Sequence, residues 1–150
     1  MDYFDPLGPT FWTTVGTALL CGAIIGVERQ LRGKPAGVRT SVLICISTSV
    51  FIELGEAASG GSADPTRVLG QLVTGVGFLG AGVILAREGT VTGVTTAAVI
   101  WVLAAIGAAI GLGQHLGAIA LAVVTVGVLT GVELLESSVR RLARGIYQRD

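Results

Sequence analysis

Two uncharged runs, Val68 to Ala86 and Val91 to Gly111, are joined by only four residues, Arg87-Glu88-Gly89-Thr90. A helix rises about 1.5 Å per residue, so about 20 apolar residues cross the hydrocarbon layer of a bilayer. Both runs are long enough. Inside that layer every backbone N–H and C=O must find a partner within the protein, which leaves helices or a closed barrel. A barrel strand alternates in polarity over about 10 residues, and neither run alternates. The expected fold class is therefore all-α, that of a polytopic membrane protein.

Five apolar segments follow from the same criterion: residues 11–27, 38–54, 68–86, 91–112 and 116–135. Residues 136–150 continue as an amphipathic tail: starting from Leu135, Val139, Leu142 and Ile146 recur at helical spacing, and Glu136 stands four residues before Arg140. Residues 1–150 read as a single transmembrane domain. With 51% hydrophobic and 13% charged residues, and a mean hydropathy of +0.77, the chain has too few polar side chains to clothe a soluble globule. The first segment is expected to stay in the membrane: Asp2 and Asp5 stand where an export signal carries basic residues, and no Ala-x-Ala site follows.

Charge distribution says more than the net charge of zero. Arg29, Arg32, Lys34, Arg39, Arg87, Arg140, Arg141, Arg144 and Arg149 fall on one side of the five segments, and only Arg67 on the other, with Asp2, Asp5, Glu53, Glu56 and Asp64. Basic loops stay in the cytoplasm. The amino terminus is thus expected outside and the carboxy terminus in the cytoplasm. The balance gives no reason to expect a nucleic-acid partner.

Glycines dominate the third segment, at Gly70, Gly75, Gly77, Gly80 and Gly82. Small residues let helix backbones approach in lipid, where no water-driven collapse holds them. Gly75-Val-Gly77-Phe78-Leu-Gly80 also fits the pattern of dinucleotide-binding folds, but it lies between no strand and helix and has no acidic residue about 20 positions later. No cofactor is expected. A tight hairpin near Glu88 brings Thr95 level with Gly82 and Thr96 with Ala81, and leaves Phe78 and Trp101 about two residues, or roughly 3 Å, apart in depth. This places Trp101 deep, filling space among small residues, and sets the Thr95 and Thr96 hydroxyls against the backbone of the third helix. The simpler role for these hydroxyls is bonding their own preceding turn. Gln71, Gly75, Gly77, Phe78, Gly80, Gly82, Thr95, Thr96 and Trp101 are accordingly candidates for helix packing or for lining an ion path.

Cys21 and Cys45 fall at similar depth, but two isolated thiols match no metal-ligand spacing. His115 reads as an interfacial residue. The densest chemistry lies at the turn between the first two segments, where Glu28, Arg29, Lys34, Arg39 and Thr40 form a candidate functional cluster facing the cytoplasm, with Glu28 expected to pair with Arg39.

Gly22-x-x-x-Gly26-Val-Glu28-Arg29-Gln30, Arg32-Gly33-Lys34-x-Ala36-Gly37-Val38-Arg39-Thr40, Arg67-x-x-x-Gln71-x-x-x-Gly75-x-Gly77-Phe78-Leu79-Gly80-Ala81-Gly82 and Gly93-Val94-Thr95-Thr96-Ala97-Ala98-x-x-Trp101 together resemble the membrane domain of the bacterial MgtC/SapB proteins, over nearly all of residues 11–135. The resemblance implies an inner-membrane protein linked to survival at low magnesium and, in pathogens, to life inside macrophages. It also implies restraint of the F-type ATP synthase through its membrane sector rather than magnesium transport itself. Many members add a cytoplasmic ACT-like domain after the fifth helix; this sequence stops at Asp150 and resembles the short branch.

Two function classes follow. One is a non-catalytic regulator that packs against other membrane helices, self-associating as a dimer through small-xxx-small pairs such as Gly22/Gly26 and Gly127/Gly131. The other is a transporter or channel for magnesium or another cation. No carboxylate, Lys, Arg or His falls near the middle of any segment, where an ion path is usually marked. The regulator is the stronger reading. Without a nucleophile-base pair or metal cluster, no enzyme is expected.

Overall fold

The computed structural model describes residues 5–58, 65–87 and 90–146. Five helices carry the chain: α1 (Pro9–Leu31), α2 (Val38–Ala58), α3 (Pro65–Gly82), α4 (Val94–Gly111) and α5 (His115–Ile146), with a short hairpin of β1 (Leu85–Arg87) and β2 (Thr90–Thr92) between α3 and α4. Pro9 opens α1 at a position that needs no N–H. Gly33 ends it with φ +63°, and the N–H of Lys34 returns to the Arg29 carbonyl.

Successive helices run in opposite directions between two ends of the bundle. At one end Thr14 of α1 bonds Glu53 of α2, and Gly111 of α4 packs on Ile52. At the other end Glu28 shares a cavity with the hairpin, the start of α4, and Val128 and Val132 of α5. α3 returns from the first end, where Gly55 meets Val68, to the second, where Gly80 faces Trp101 and Ala97. The central element is α4, which touches all four other helices, and it is apolar around nearly its whole circumference, as a helix enclosed by others must be. One core gathers Ala18, Cys21 and Ile25 from α1, Cys45 from α2, Leu103 and Ile106 from α4, and Ala118 and Ala122 from α5. Leu19, Leu43, Phe51, Phe78, Val123 and Val124 face outward, so the apolar exterior fits a lipid bilayer.

Glycine makes the tightest seams. A Cβ built on Gly22 would lie 2.6 Å from the Val42 Cα, one on Gly26 2.5 Å from the Val38 Cα, and one on Gly107 2.6 Å from the Cys45 carbonyl oxygen. The Gly22/Gly26 pair expected at a dimer interface therefore joins α1 to α2 within one chain. Gly127, by contrast, has nothing within 4 Å of such a Cβ.

Helix assignments differ from expectation in the middle of the chain. Instead of a helix over 68–86 and another from 91, α3 stops at Gly82, and Leu85–Arg87 pairs antiparallel with Thr90–Thr92 in the register Leu85↔Thr92. Gly93 sets the start of α4: with φ +90° it sits where any Cβ would overlap the Val83 carbonyl, and the helix begins at Val94. Among the described residues four helical stretches are long and apolar enough to cross a membrane: Pro9–Leu31, Val38–Ala58, Val94–Gly111 and His115–Val132. α3 is not one of them. Its 18 residues equal those of α4 in number, but Arg67, Gln71 and five glycines make it less apolar, although it runs the same course end to end. α5 continues without a break to Ile146, so the fifth segment and most of the tail form one helix; residues 147–150 lie outside the described part.

Candidate functional site: a charged cavity at one end of the bundle

Arg29 organises this end. Although guanidinium groups rarely lie buried unless paired, Arg29 is 3% exposed. Its Nη2 donates to Thr96 Oγ1 on the first turn of α4 at 2.8 Å, and its Nε donates to the Pro35 carbonyl at 3.3 Å. One side chain thus ties α1 to the α1–α2 loop and to α4. Ala36 stands in the left-handed region, φ +60°, at a conformational cost of about 1–2 kcal/mol for a residue with a Cβ. The turn is held on both sides, by Arg29 on Pro35 and by Ser41 Oγ donating to the Ala36 carbonyl at 3.1 Å.

Glu28 pairs with Arg32, not with Arg39. Arg32 Nε lies 2.8 Å from Glu28 Oε1, four residues along one helix, a spacing at which side chains meet. Arg39 and Thr40 are exposed on the first turn of α2 and do not line the cavity. The expected Glu28–Arg39 contact fails because α1 stops at Leu31, placing Arg32 directly over Glu28. Glu28 is only 9% exposed, and its second oxygen, Oε2, has no hydrogen-bond partner among the described residues.

Glu28, Arg29, Arg32 and Lys34 border an open cavity of about 710 Å³, lined on its other sides by the hairpin, the first turn of α4 and the Val128–Val132 face of α5. Of the residues singled out in sequence, Glu28, Arg29, Lys34, Thr95 and Thr96 share this cavity. Thr96 Oγ1 accepts from Arg29, a partner that neither the simpler expectation of a bond to its own preceding turn nor the alternative of the α3 backbone names, and Thr95 is exposed. Gln71 and Gly75 line a separate groove of about 360 Å³ between α2 and α3. A Cβ built on Gly80 would lie 3.6 Å from the Trp101 ring; Trp101 is 48% exposed and Phe78 81%, so both face outward instead of filling the interior. Gly77 and Gly82 have no neighbour within 4 Å of an added Cβ.

The opposite end holds a feature that sequence reading missed. Glu53 is 5% exposed and accepts a 2.9 Å hydrogen bond from Thr14 Oγ1, while the nearby His115 keeps a buried Nδ1 without a partner among the described residues. The signal was present, since Thr14 and Glu53 each stand about 20 residues from the Gly33 turn and two antiparallel helices bring such positions level. Cys21 and Cys45 join the same core cluster as free thiols. No group of three or more His, Cys, Asp or Glu able to hold a metal occurs among the described residues.

The model of the MgtC family matches residues 15–138. Similar proteins include the one named "Putative magnesium transporter YhiD" of Escherichia coli K12, 49% identical over 105 residues, which cover 65% of this chain and 48% of that protein. Protein MgtC of Brucella abortus strain 2308 is 39% identical over 149 residues, 97% of this chain and 61% of that protein. Protein MgtC of Salmonella typhimurium strain LT2 is 42% identical over 125 residues, 83% and 52%. The chain thus spans about half to three fifths of the length of these relatives. No solved structure matches it. The apolar bundle and the match across most of its length agree: the chain belongs to the MgtC family and is a multi-pass membrane protein.

Proposed function

We propose that the protein is a non-catalytic regulator in the bacterial inner membrane that supports adaptation to low magnesium by contacting another membrane protein, the membrane sector of the F-type ATP synthase being the partner the family resemblance implies. The carrying observation is where the charges lie. Between the Glu28 end and the Glu53 end the interior is closed by Ala18, Cys21, Ile25, Cys45, Leu103 and Ile106, with no Asp, Glu, Lys, Arg or His along that course. A magnesium ion sheds its water reluctantly and takes carboxylate and water oxygens, so such a core offers it no path. The second reading, magnesium transport, draws on the name of the Escherichia coli relative and on the buried Glu53. Growth and flux separate the two. In a strain lacking its own family member, the chain restores growth at low magnesium, while the purified protein in liposomes loaded with a magnesium indicator passes no ion. Magnesium entry above that of protein-free liposomes would establish transport; absence of growth support would sink both readings.

We place the amino terminus outside and the carboxy terminus in the cytoplasm, on the nine-to-one split of Lys and Arg, and infer a dimer seated on the open Gly127/Gly131 face of α5. Cysteines introduced one at a time at Ser62, Ser138 and Gly127 read both. Ser62→Cys is labelled from outside, Ser138→Cys only after permeabilisation, and Gly127→Cys crosslinks to a second copy. The reverse labelling overturns the orientation, and the lack of any crosslinked dimer in membranes overturns the interface.

A further inference from the structure

We infer that the cavity at the Glu28 end is a binding site for a zwitterionic phosphate-amine headgroup, that of an aminophospholipid such as phosphatidylethanolamine. Three features of the wall select this chemistry. Arg29, Arg32 and Lys34 border it, and guanidinium and ammonium groups are the usual partners of phosphate oxygens. The first turn of α4 opens into it through Gly93, Val94, Thr95 and Thr96. The Gly93 cap makes no side-chain hydrogen bond, so the N–H groups of that turn and the positive end of the helix dipole add to the same attraction.

The third feature excludes a simple anion. Glu28 borders the cavity with the cations, is more than nine-tenths buried, and keeps Oε2 without a partner among the described residues. A buried carboxylate oxygen left unpaired costs free energy, and phosphate alone would add repulsion. A divalent cation fares no better, because among the described residues three positive side chains border the space against one carboxylate. A molecule carrying an ammonium a few bonds from its phosphate meets both demands: the ammonium donates to Glu28 Oε2, and the phosphate accepts from Arg32, Lys34 and the α4 N–H groups.

The remaining wall fits a lipid rather than a soluble phosphate ester. Leu85, Val91, Val128 and Val132 border the same cavity, and all four are also largely exposed on the outer surface of the bundle. Acyl chains can lie against them while the head enters. The inference is independent of the regulatory reading above, since a headgroup site serves a regulator and a transporter equally.

Native mass spectrometry of the full chain released from nanodiscs of phosphatidylethanolamine, phosphatidylglycerol and phosphatidylcholine in equal amounts tests the proposal. Phosphatidylethanolamine is expected to remain bound in preference to both others. Glu28→Gln should lower its preference over phosphatidylglycerol by about tenfold, the factor matching one charge-assisted hydrogen bond of about 1.4 kcal/mol. Lys34→Ala, at an exposed position, should weaken retention of phosphatidylethanolamine and phosphatidylglycerol alike without disturbing the fold. Equal retention of all three lipids, or an unchanged preference in Glu28→Gln protein that still elutes as the folded species, overturns the site. If Glu28→Gln does not fold, retention unchanged by Lys34→Ala overturns it. Free phosphoethanolamine displacing the lipid at equal concentration would overturn the lipid assignment and leave a soluble ligand as the source.

Discussion

Gly26→Val is expected to remove most of the folded protein from the membrane, while Gly127→Val, which meets nothing within the chain, leaves its amount unchanged even where it loosens contact with a second copy. The two positions look alike in sequence, each the member of a small-xxx-small pair inside an apolar run. A Cβ on Gly26 would fall 2.5 Å from the Val38 Cα and 2.9 Å from its N, and both atoms belong to backbone that no rotamer change can move. α1 and α2 must then separate along their whole seam, through the close backbone approach at Gly22 and the Thr14–Glu53 bond beyond it. Overpacking of ordinary core sites costs about 1–3 kcal/mol, and a backbone clash between two helices lies at or above the top of that range. Against a net stability of about 5–15 kcal/mol, this is a large fraction. Membrane abundance and the melting temperature in detergent report it. Equal values for the Gly26 and Gly127 variants would mean that the α1–α2 seam is not as tight as described.

The second large effect is expected at Arg29. Arg29→Ala removes the tie from α1 to Thr96 and Pro35 together and leaves the Ala36 turn supported by Ser41 alone. A hydrogen bond from a buried charged group contributes about 1.5–3 kcal/mol in proteins generally, whereas interhelical bonds in membranes average nearer 0.6 kcal/mol. A coupling of about 1–2 kcal/mol between Arg29 and Thr96 is therefore expected in a double-mutant cycle of Arg29→Ala and Thr96→Val. Arg29→Lys should not rescue it, because a lysine has one donor head where the guanidinium reaches two acceptors at once. Arg39→Ala, at an exposed position outside the cavity, is expected to leave stability unchanged. Additive effects of the Arg29 and Thr96 variants, or an Arg39 variant as damaging as the Arg29 one, would show that the cluster is organised around a different residue.

How far the site could be read in advance depends on the range of each interaction. The Glu28–Arg32 pair is local, four residues apart on a helix, and needed only a correct end for α1; placing that end early suggested Arg39 instead. Thr14 and Glu53 were within reach of depth counting from a short turn. Thr96 was not, because its partner depends on how α4 docks on α1, and on where the chain re-enters a helix after the hairpin. Gly93 set that point through its left-handed backbone, and a Gly-Val-Thr-Thr run inside an apolar stretch gives no warning of it. The same hairpin shifted the pairing of α3 with α4, so Thr96 faces Arg29 and Trp101 faces Gly80.

Uninterrupted apolar runs bounded by charged turns determined by themselves that this chain enters a bilayer as a bundle of helices, because in hydrocarbon the backbone has almost no other way to satisfy its hydrogen bonds. The position of the charged groups at the ends of those runs was equally fixed, since a charge near the middle would carry a heavy penalty. Packing in three dimensions settled which glycines are used inside the chain and which stay open, that Arg29 is buried while Arg39 is exposed, and that Glu28 borders a cavity with one oxygen unpaired among the described residues. Those outcomes depend on how each helix rotates about its axis and against which neighbour. In lipid this is chosen by close packing and a few polar contacts between distant segments, quantities that a one-dimensional pattern of apolar and polar residues does not contain.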